Sequence, residues 1–225
     1  MVYKNIVSGI FIKRPNRFIA HVLINGKEEI CHVKNTGRCK ELLVSGAKVI
    51  LQHFDSNLRK TKYDLIAVYK GDKLINMYSK APNKVVYEYL KANFSDKFII
   101  KPEYKFGNSR LDFFMERKNE KILIEVKGCT LEENGIASFP DAPTQRGRKH
   151  LEELTEAIKN GYKSVIIFVI QMEEVLYFTS NTKNDPDFSE ALLKAEKSGV
   201  IPVAFNCIVK ENSLAMHNPI PIVLK

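Results

Sequence analysis

Ser109-Arg110-Leu111-Asp112-Phe113-Phe114 is followed, across a turn, by Ile122-Leu123-Ile124-Glu125-Val126-Lys127. Both runs are built from Ile, Leu, Val and Phe with single charges set into them, which is the composition of strands in a buried sheet. Side chains alternate along a strand, so Leu123, Glu125 and Lys127 project from one face and Ile124 and Val126 from the other. An Asp on the neighbouring strand can meet that pair. Asp112 and Glu125 then offer two hard oxygen ligands for Mg²⁺, with a Lys beside them. Such a site suits phosphodiester hydrolysis, in which an ammonium positions water or stabilises charge developing on the phosphate. Asp…Glu-x-Lys is a short pattern, and its plainer reading is a solvated strand face. Its place at the end of apolar strands favours chemistry, because a carboxylate bordering a buried sheet is costly without a partner, and a metal is one.

Outward from these strands the chain alternates helix and strand. Pro82 suits the first turn of a helix, and Val85, Val86, Tyr89 and Leu90 follow at helical spacing. Strands are expected at 99–106, 111–116 and 121–127. A second helix is expected from Pro143, with Leu151, Leu154 and Ile158 on one face and a stop near Asn160-Gly161. A buried strand at 164–171, a third helix at about 189–197 and a last buried strand at 200–209 complete a mixed α/β sheet covered by helices. The first third reads differently. Short strands at 6–13, 18–24, 29–33, 47–54, 63–69 and 74–77 are punctuated by Asn25-Gly26, a strong hairpin signal, and by Gly71-Asp72. Five or six such strands suggest a small barrel, an OB-fold among the candidates. The reading is therefore two domains, a barrel over 1–80 and an α/β domain over 81–225.

Two further clusters bear on the site. In the run from Ala137 to His150, Arg146, Lys149 and His150 fall at i, i+3 and i+4 and share a helix face. Cations in a first helical turn oppose the helix dipole, so they point to a bound anion such as a substrate phosphate, against the plainer reading of a basic solvated turn. Glu88, between Tyr87 and Tyr89 on the first helix, is a candidate further metal ligand; alone, it reads as an exposed helical acid.

Charge assigns the halves different work. The 225 residues carry a net charge of +9. Residues 1–80 hold 15 Lys and Arg against 6 Asp and Glu, whereas 81–225 hold 20 of each, so the whole excess lies in the barrel. Lys13, Arg14, Arg17, Lys34, Arg38, Lys40, Arg59 and Lys60 fall near predicted turns, where a basic rim would track a phosphate backbone. Phe11, Phe18, Phe54, Tyr63 and Tyr69 include candidate stacking residues, although strand aromatics are usually core. No recognition helix or zinc finger is evident, so DNA binding with little sequence specificity and a steep salt dependence is expected. Cys31, His32 and Cys39 match no standard zinc-finger spacing. The longest apolar run, Val165 to Ile170, is too short for a membrane span, and the N-terminus has no signal-peptide pattern. A cytoplasmic protein with reduced thiols and no membrane partner is expected; a homo-oligomer is left open.

The sequence resembles the sugar fermentation stimulation protein (SfsA) family over nearly its whole length. The motifs that carry this are Ile12-Lys13-Arg14, Asn35-Thr36-Gly37-Arg38, Ser109-Arg110-Leu111-Asp112-Phe113, Glu125-Val126-Lys127, and the long run from Phe139-Pro140-Asp141-Ala142-Pro143-Thr144 through Gln145-Arg146-Gly147-Arg148-Lys149-His150. Two positions depart from the pattern: Leu58 stands where the family usually has Pro in an Asn-Pro-x-Arg-Lys run, and Cys39 where many members have an apolar residue. The resemblance implies an N-terminal OB-fold and a C-terminal nuclease-like domain of the PD-(D/E)xK class. It implies Asp112, Glu125 and Lys127 as the catalytic set, Glu88 as the first-helix acid, and Arg146 and His150 as polar residues of the following helix. Asp141 lies in a loop specific to the family; it would cap the helix begun by Pro143 or approach the metal. The functional expectation is a metal-dependent DNA nuclease using Mg²⁺ or Mn²⁺. The alternative is a non-catalytic DNA-binding regulator of sugar-utilisation genes on a vestigial nuclease fold.

Overall fold

The structure is a computed structural model that describes all residues except Thr36, Asn57 and Lys225. Thr36, quoted in a motif above, and Asn57, beside Leu58, therefore lie outside the described residues.

Strands β1 (Ile6–Asn16), β2 (Ile19–Ile24) and β3 (Lys27–Val33) form an antiparallel meander. Its second turn is Asn25-Gly26, with φ of 50° and 79°, the left-handed pair that a two-residue hairpin turn requires. β4 (Lys48–His53) pairs with β1, and β5 (Tyr63–Lys70) pairs with β4. β5 then lies parallel to β3, with Cys31 opposite Tyr63 and Val33 opposite Leu65. That pairing closes a five-stranded barrel with OB topology, filled by Phe11, Val22, Cys31, Val49, Leu51, Leu65 and Val68. β6 (Lys73–Asn76) extends β5 at the edge.

The rest is a mixed six-stranded sheet. Helix α1 (Ala81–Phe94) leads into β7 (Ile99–Phe106), β8 (Ser109–Arg117) and β9 (Glu120–Cys129). β12 (Lys163–Ile170) lies parallel between β9 and β14 (Ile201–Lys210), and β15 (Ser213–Pro219) closes the far edge. The alternation read from the sequence sorts the two faces. Ile124, Val126, Ile167 and Val169 pack with Val85, Val86 and Leu90 of α1. Leu123, Ile166 and Phe168 share the other core with Leu151 and Leu154 of α2 (Gln145–Lys159) and with Phe188 and Leu192 of α3 (Pro186–Lys197).

The structure adds four strands absent from the sequence reading: β10 (Leu131–Glu133), β11 (Ile136–Phe139), β13 (Tyr177–Ser180) and β15. The first three form a small separate sheet. These strands have no continuous apolar run, so their pairing comes from tertiary context rather than local pattern. Helix starts also differ. Asp185 caps α3 by accepting from the Phe188 N–H at 3.0 Å, so the helix begins at Pro186, three residues before the expected start. Thr144, not the Pro143 segment, caps α2 by accepting from the Gly147 N–H at 3.0 Å.

Residues 1–3 also bond to the α/β unit. Tyr3 N–H donates to Asn212 O at 2.8 Å, and Leu214 N–H donates to Met1 O at 3.0 Å. Several barrel cations are likewise taken up in the contact between units: Lys48 pairs with Glu211 at 3.0 Å, and Lys70 and Lys73 pair with the buried Glu132 at 2.8 and 3.6 Å. Part of the basic excess of residues 1–80 thus joins the units rather than facing solvent. Among the described residues, no helix is long and apolar enough to cross a membrane.

Candidate active site

The pairing of β8 with β9 ends at Phe113 opposite Ile124. Just beyond that point the Val126 N–H donates to Asp112 Oδ2 at 2.7 Å. Asp112 Oδ1 accepts from Asn83 Nδ2 of α1 at 2.5 Å. Asp112 is therefore fixed from two sides, next to Glu125. Burial, and then the charge of Glu125, push its carboxyl up to about 6, against the opposing pull of the Val126 N–H, Asn83 and Lys127.

Glu125 is 2% exposed. Its Oε1 accepts from Lys127 Nζ at 2.6 Å and from His150 Nδ1. Arg146 Nε donates to the other ring nitrogen of His150 at 3.4 Å, which assigns the neutral ring's proton to Nδ1, facing Glu125. Burial pushes the Glu125 carboxyl up, but the His150 hydrogen bond and the charge and hydrogen bond of Lys127 outweigh it, and the group sits below its ordinary value. Glu125 Oε2 is buried and has no hydrogen-bond partner among the described residues.

That orphaned oxygen tests the metal expectation. Two hard carboxylates lie near each other, one raised by burial and by the other's charge and one with an oxygen unused. A divalent cation would neutralise the first and satisfy the second, so the residues present fit such an ion. No third His, Cys, Asp or Glu joins them in a metal-holding group among the described residues.

The structure corrects the sequence reading at several positions. Glu88 turns away: its Oε2 accepts from the Met1 ammonium at 2.6 Å, and the α1 residues bordering the site are Asn83, Lys84 and Tyr87. Asn83 and Tyr87, at i and i+4, share the face that Glu88 leaves. Asn83 was missed because an amide after a helix-starting Pro reads as ordinary helix-start polarity. Asp141 neither caps α2 nor approaches the carboxylates; its Oδ2 accepts from the Arg38 N–H at 2.9 Å, tying the barrel loop to the α/β unit. A Cβ on Gly37 would lie 2.5 Å from that same oxygen, which accounts for the glycine. His150 is 4% exposed and holds Glu125, so it positions an acid rather than contacting a phosphate. Arg146 borders the cleft, whereas Lys149 donates to Asn108 O at 3.4 Å. Cys31 and Cys39 are buried thiols pushed by burial up to about 12.

The site opens on a cleft of about 1100 Å³ walled by both units. Of the eight barrel cations singled out, Lys34 borders it. Lys13, Arg17, Arg38, Lys40 and Lys60 are exposed elsewhere on the barrel. Arg59 pairs with the buried Asp64. Arg14 is structural: its guanidinium donates to the carbonyls of Gly37, Arg38, Arg17 and Asn35 at 2.7–3.0 Å. Arg14→Ala is expected to cost about 2–3 kcal/mol, since hydrogen bonds from charged groups contribute about 1.5–3 kcal/mol and several acceptors lose their donor together. Arg14→Lys should not rescue it, because an ammonium lacks the fork. Urea denaturation measures both; wild-type stability in Arg14→Ala would refute this role.

Comparison with known proteins bears on this geometry. Residues 12–77 match the SfsA N-terminal OB domain, and residues 80–213 match the sugar fermentation stimulation protein RE domain. The chain belongs to the sugar fermentation stimulation protein family. Its restriction-endonuclease-like unit is the one that carries Asp112, Glu125 and Lys127. The sugar fermentation stimulation protein homolog of Clostridium beijerinckii is 54% identical over the full length of both chains. That of Desulfitobacterium hafniense is 56% identical over 95% of this chain and 94% of its own. The structure of Pyrococcus furiosus SfsA in complex with Ca²⁺ matches with a TM-score of 0.87 at 26% identity, covering 99% of this chain and 98% of that one.

Proposed function

We propose that this family member is a divalent-metal-dependent DNA nuclease. The observation that carries the reading is the Asp112–Glu125 pair, with its buried, unpartnered Glu125 Oε2 and with Lys127 beside it. The Ca²⁺ complex of the Pyrococcus relative supports divalent binding in the family; Ca²⁺ and Mg²⁺ both take oxygen ligands.

Asp112 and Glu125 would hold Mg²⁺ or Mn²⁺, which supplies Lewis-acid stabilisation to a phosphodiester under attack. The protein's own part is positional. The Val126 N–H and Asn83 aim Asp112, and His150, itself held by Arg146, aims Glu125. Lys127 Nζ, 2.6 Å from Glu125 Oε1, is placed to orient a water and to offset charge growing on the phosphate. Arg146 offers a second cation at the cleft wall.

Lys127→Met should lower metal-dependent cleavage by roughly 10²–10³-fold while leaving metal affinity by calorimetry near wild type. Oligonucleotide cleavage with Mg²⁺, Mn²⁺ or EDTA measures the first. Unchanged cleavage in the variant would remove Lys127 from the mechanism.

A further inference from the structure

The cleft that leads to the carboxylates has aromatic side chains on both walls. On the barrel side is Phe54, just past β4; on the α/β side is Tyr87 of α1. Neither ring is loose. Arg59 lies 4.0 Å over the Phe54 ring without itself bordering the cleft, so it braces the ring from outside. Tyr87 lies flat on Phe113, with centroids 6.0 Å apart and planes 9° apart. Cations accompany both rings along the cleft: Lys34 is 5.7 Å from the Phe54 ring and 5.4 Å from that of Tyr78, and Lys84 lies on α1 near Tyr87. Asp64, 1% exposed, pairs with both Lys34 (2.5 Å) and Arg59 and holds this arrangement together.

Flat aromatic faces interleaved with cations have one use on a polyanion. A duplex keeps its bases stacked inside and presents their edges in the grooves. An unpaired base exposes a π-face that stacks on an aromatic ring, while its phosphates meet the cations. The acids at the end of the cleft are recessed, with Glu125 2% exposed, so the scissile phosphate must pass between the walls to reach them.

We infer that the cleft takes a single strand of DNA, with unpaired bases stacking on Phe54 and Tyr87 and the backbone tracked by Lys34 and Lys84. This deepens the nuclease reading and rests on it for the site that the strand leads to. Asp64 is a positioning residue, acting through Lys34 and Arg59.

The test is fluorescence anisotropy of the full chain in EDTA, with one labelled oligonucleotide presented single-stranded or annealed to its complement. Wild type is expected to bind the single strand roughly tenfold or more tightly than the duplex, and Phe54→Ala and Tyr87→Ala should each lose about tenfold on the single strand alone. Phe54→Tyr, which keeps a ring, should retain binding. Equal or tighter binding of the duplex overturns the inference, as do alanine variants that leave single-strand affinity unchanged or weaken both forms alike. The wild-type comparison needs no variant to fold. Cleavage with Mn²⁺ separates the two readings. Single-strand preference without cleavage sinks the nuclease and leaves this inference, whereas cleavage without that preference does the reverse.

Discussion

Glu125→Ala is expected to destabilise the metal-free protein at pH 7 by about 3–5 kcal/mol, the usual cost of removing one partner from a buried ion pair. The side chains of Lys127 and His150 are 12% and 5% exposed, and both converge on Glu125 Oε1. Without the carboxylate, Lys127 loses the counter-charge it is bonded to. At about 2–4 °C per kcal/mol for a chain of this size, the Tm should fall by roughly 10 °C. The sign with pH follows from the direction of the shift. Because the folded carboxyl sits below its ordinary value, its stabilisation is present above the unfolded pKa and lost as pH falls through the folded one. The gap between wild type and variant should therefore narrow in acid. Thermal denaturation across pH measures it; equal stability at pH 7 would show that the pair contributes nothing.

Its neighbour should behave in the opposite way. Asp112→Asn is expected to stabilise the metal-free protein at pH 7. With a folded carboxyl near 6 against an ordinary 3.8, and 1.36 kcal/mol per pK unit, ionised Asp112 costs the fold about 3 kcal/mol. A raised acid favours the fold while protonated, so that cost appears as pH rises from the unfolded value through about 6 and is absent below about 3.8. The amide fits the site if Asn83 turns its own amide over: one amide oxygen then takes the Val126 N–H and the other faces the new NH₂. Saturating Mg²⁺ should invert the order, because an ion at a thousand times its Kd adds about 4.1 kcal/mol to wild type alone. Asp112→Asn less stable than wild type without metal at pH 7 would refute this electrostatic account. Together the two substitutions describe a site strained by one acid and held by the other.

How far the sequence reached follows from range. Alternation on β9 and the apolar run of β12 are local patterns, and both emerged with the faces expected. The meeting of Asp112 with Glu125 was legible because adjacent strands joined by a short turn leave little choice of neighbour. What was not legible depends on contacts distant in sequence. Glu88 and Asn83 lie five residues apart on one helix, and only the packing of α1 decides which faces the acids. Arg14 read as a DNA contact, and Asp141 as a helix cap or a metal-approaching acid, because composition cannot show that a guanidinium folds back onto loop carbonyls or that a carboxylate reaches a backbone N–H 103 residues away. His150 was placed on the correct helix face, but its burial moved it from the substrate to the support of Glu125.

The basic excess of the first third changes meaning in the same way. Lys48, Lys70 and Lys73 meet acids of the other unit, and Lys34 and Arg59 meet Asp64. The charge both joins the units and lines the barrel's share of the cleft.

The central claim is that Asp112 and Glu125 form a divalent-metal site for phosphodiester cleavage. Its most direct test is to purify wild type and Asp112→Ala in parallel and follow cleavage of a labelled oligonucleotide with Mn²⁺, Mg²⁺ or EDTA. The account predicts wild-type cleavage that requires metal and stops in EDTA, and a loss of roughly 10²–10³-fold or more in the variant. Wild type inert under every metal condition, or Asp112→Ala cleaving as fast as wild type, would contradict it.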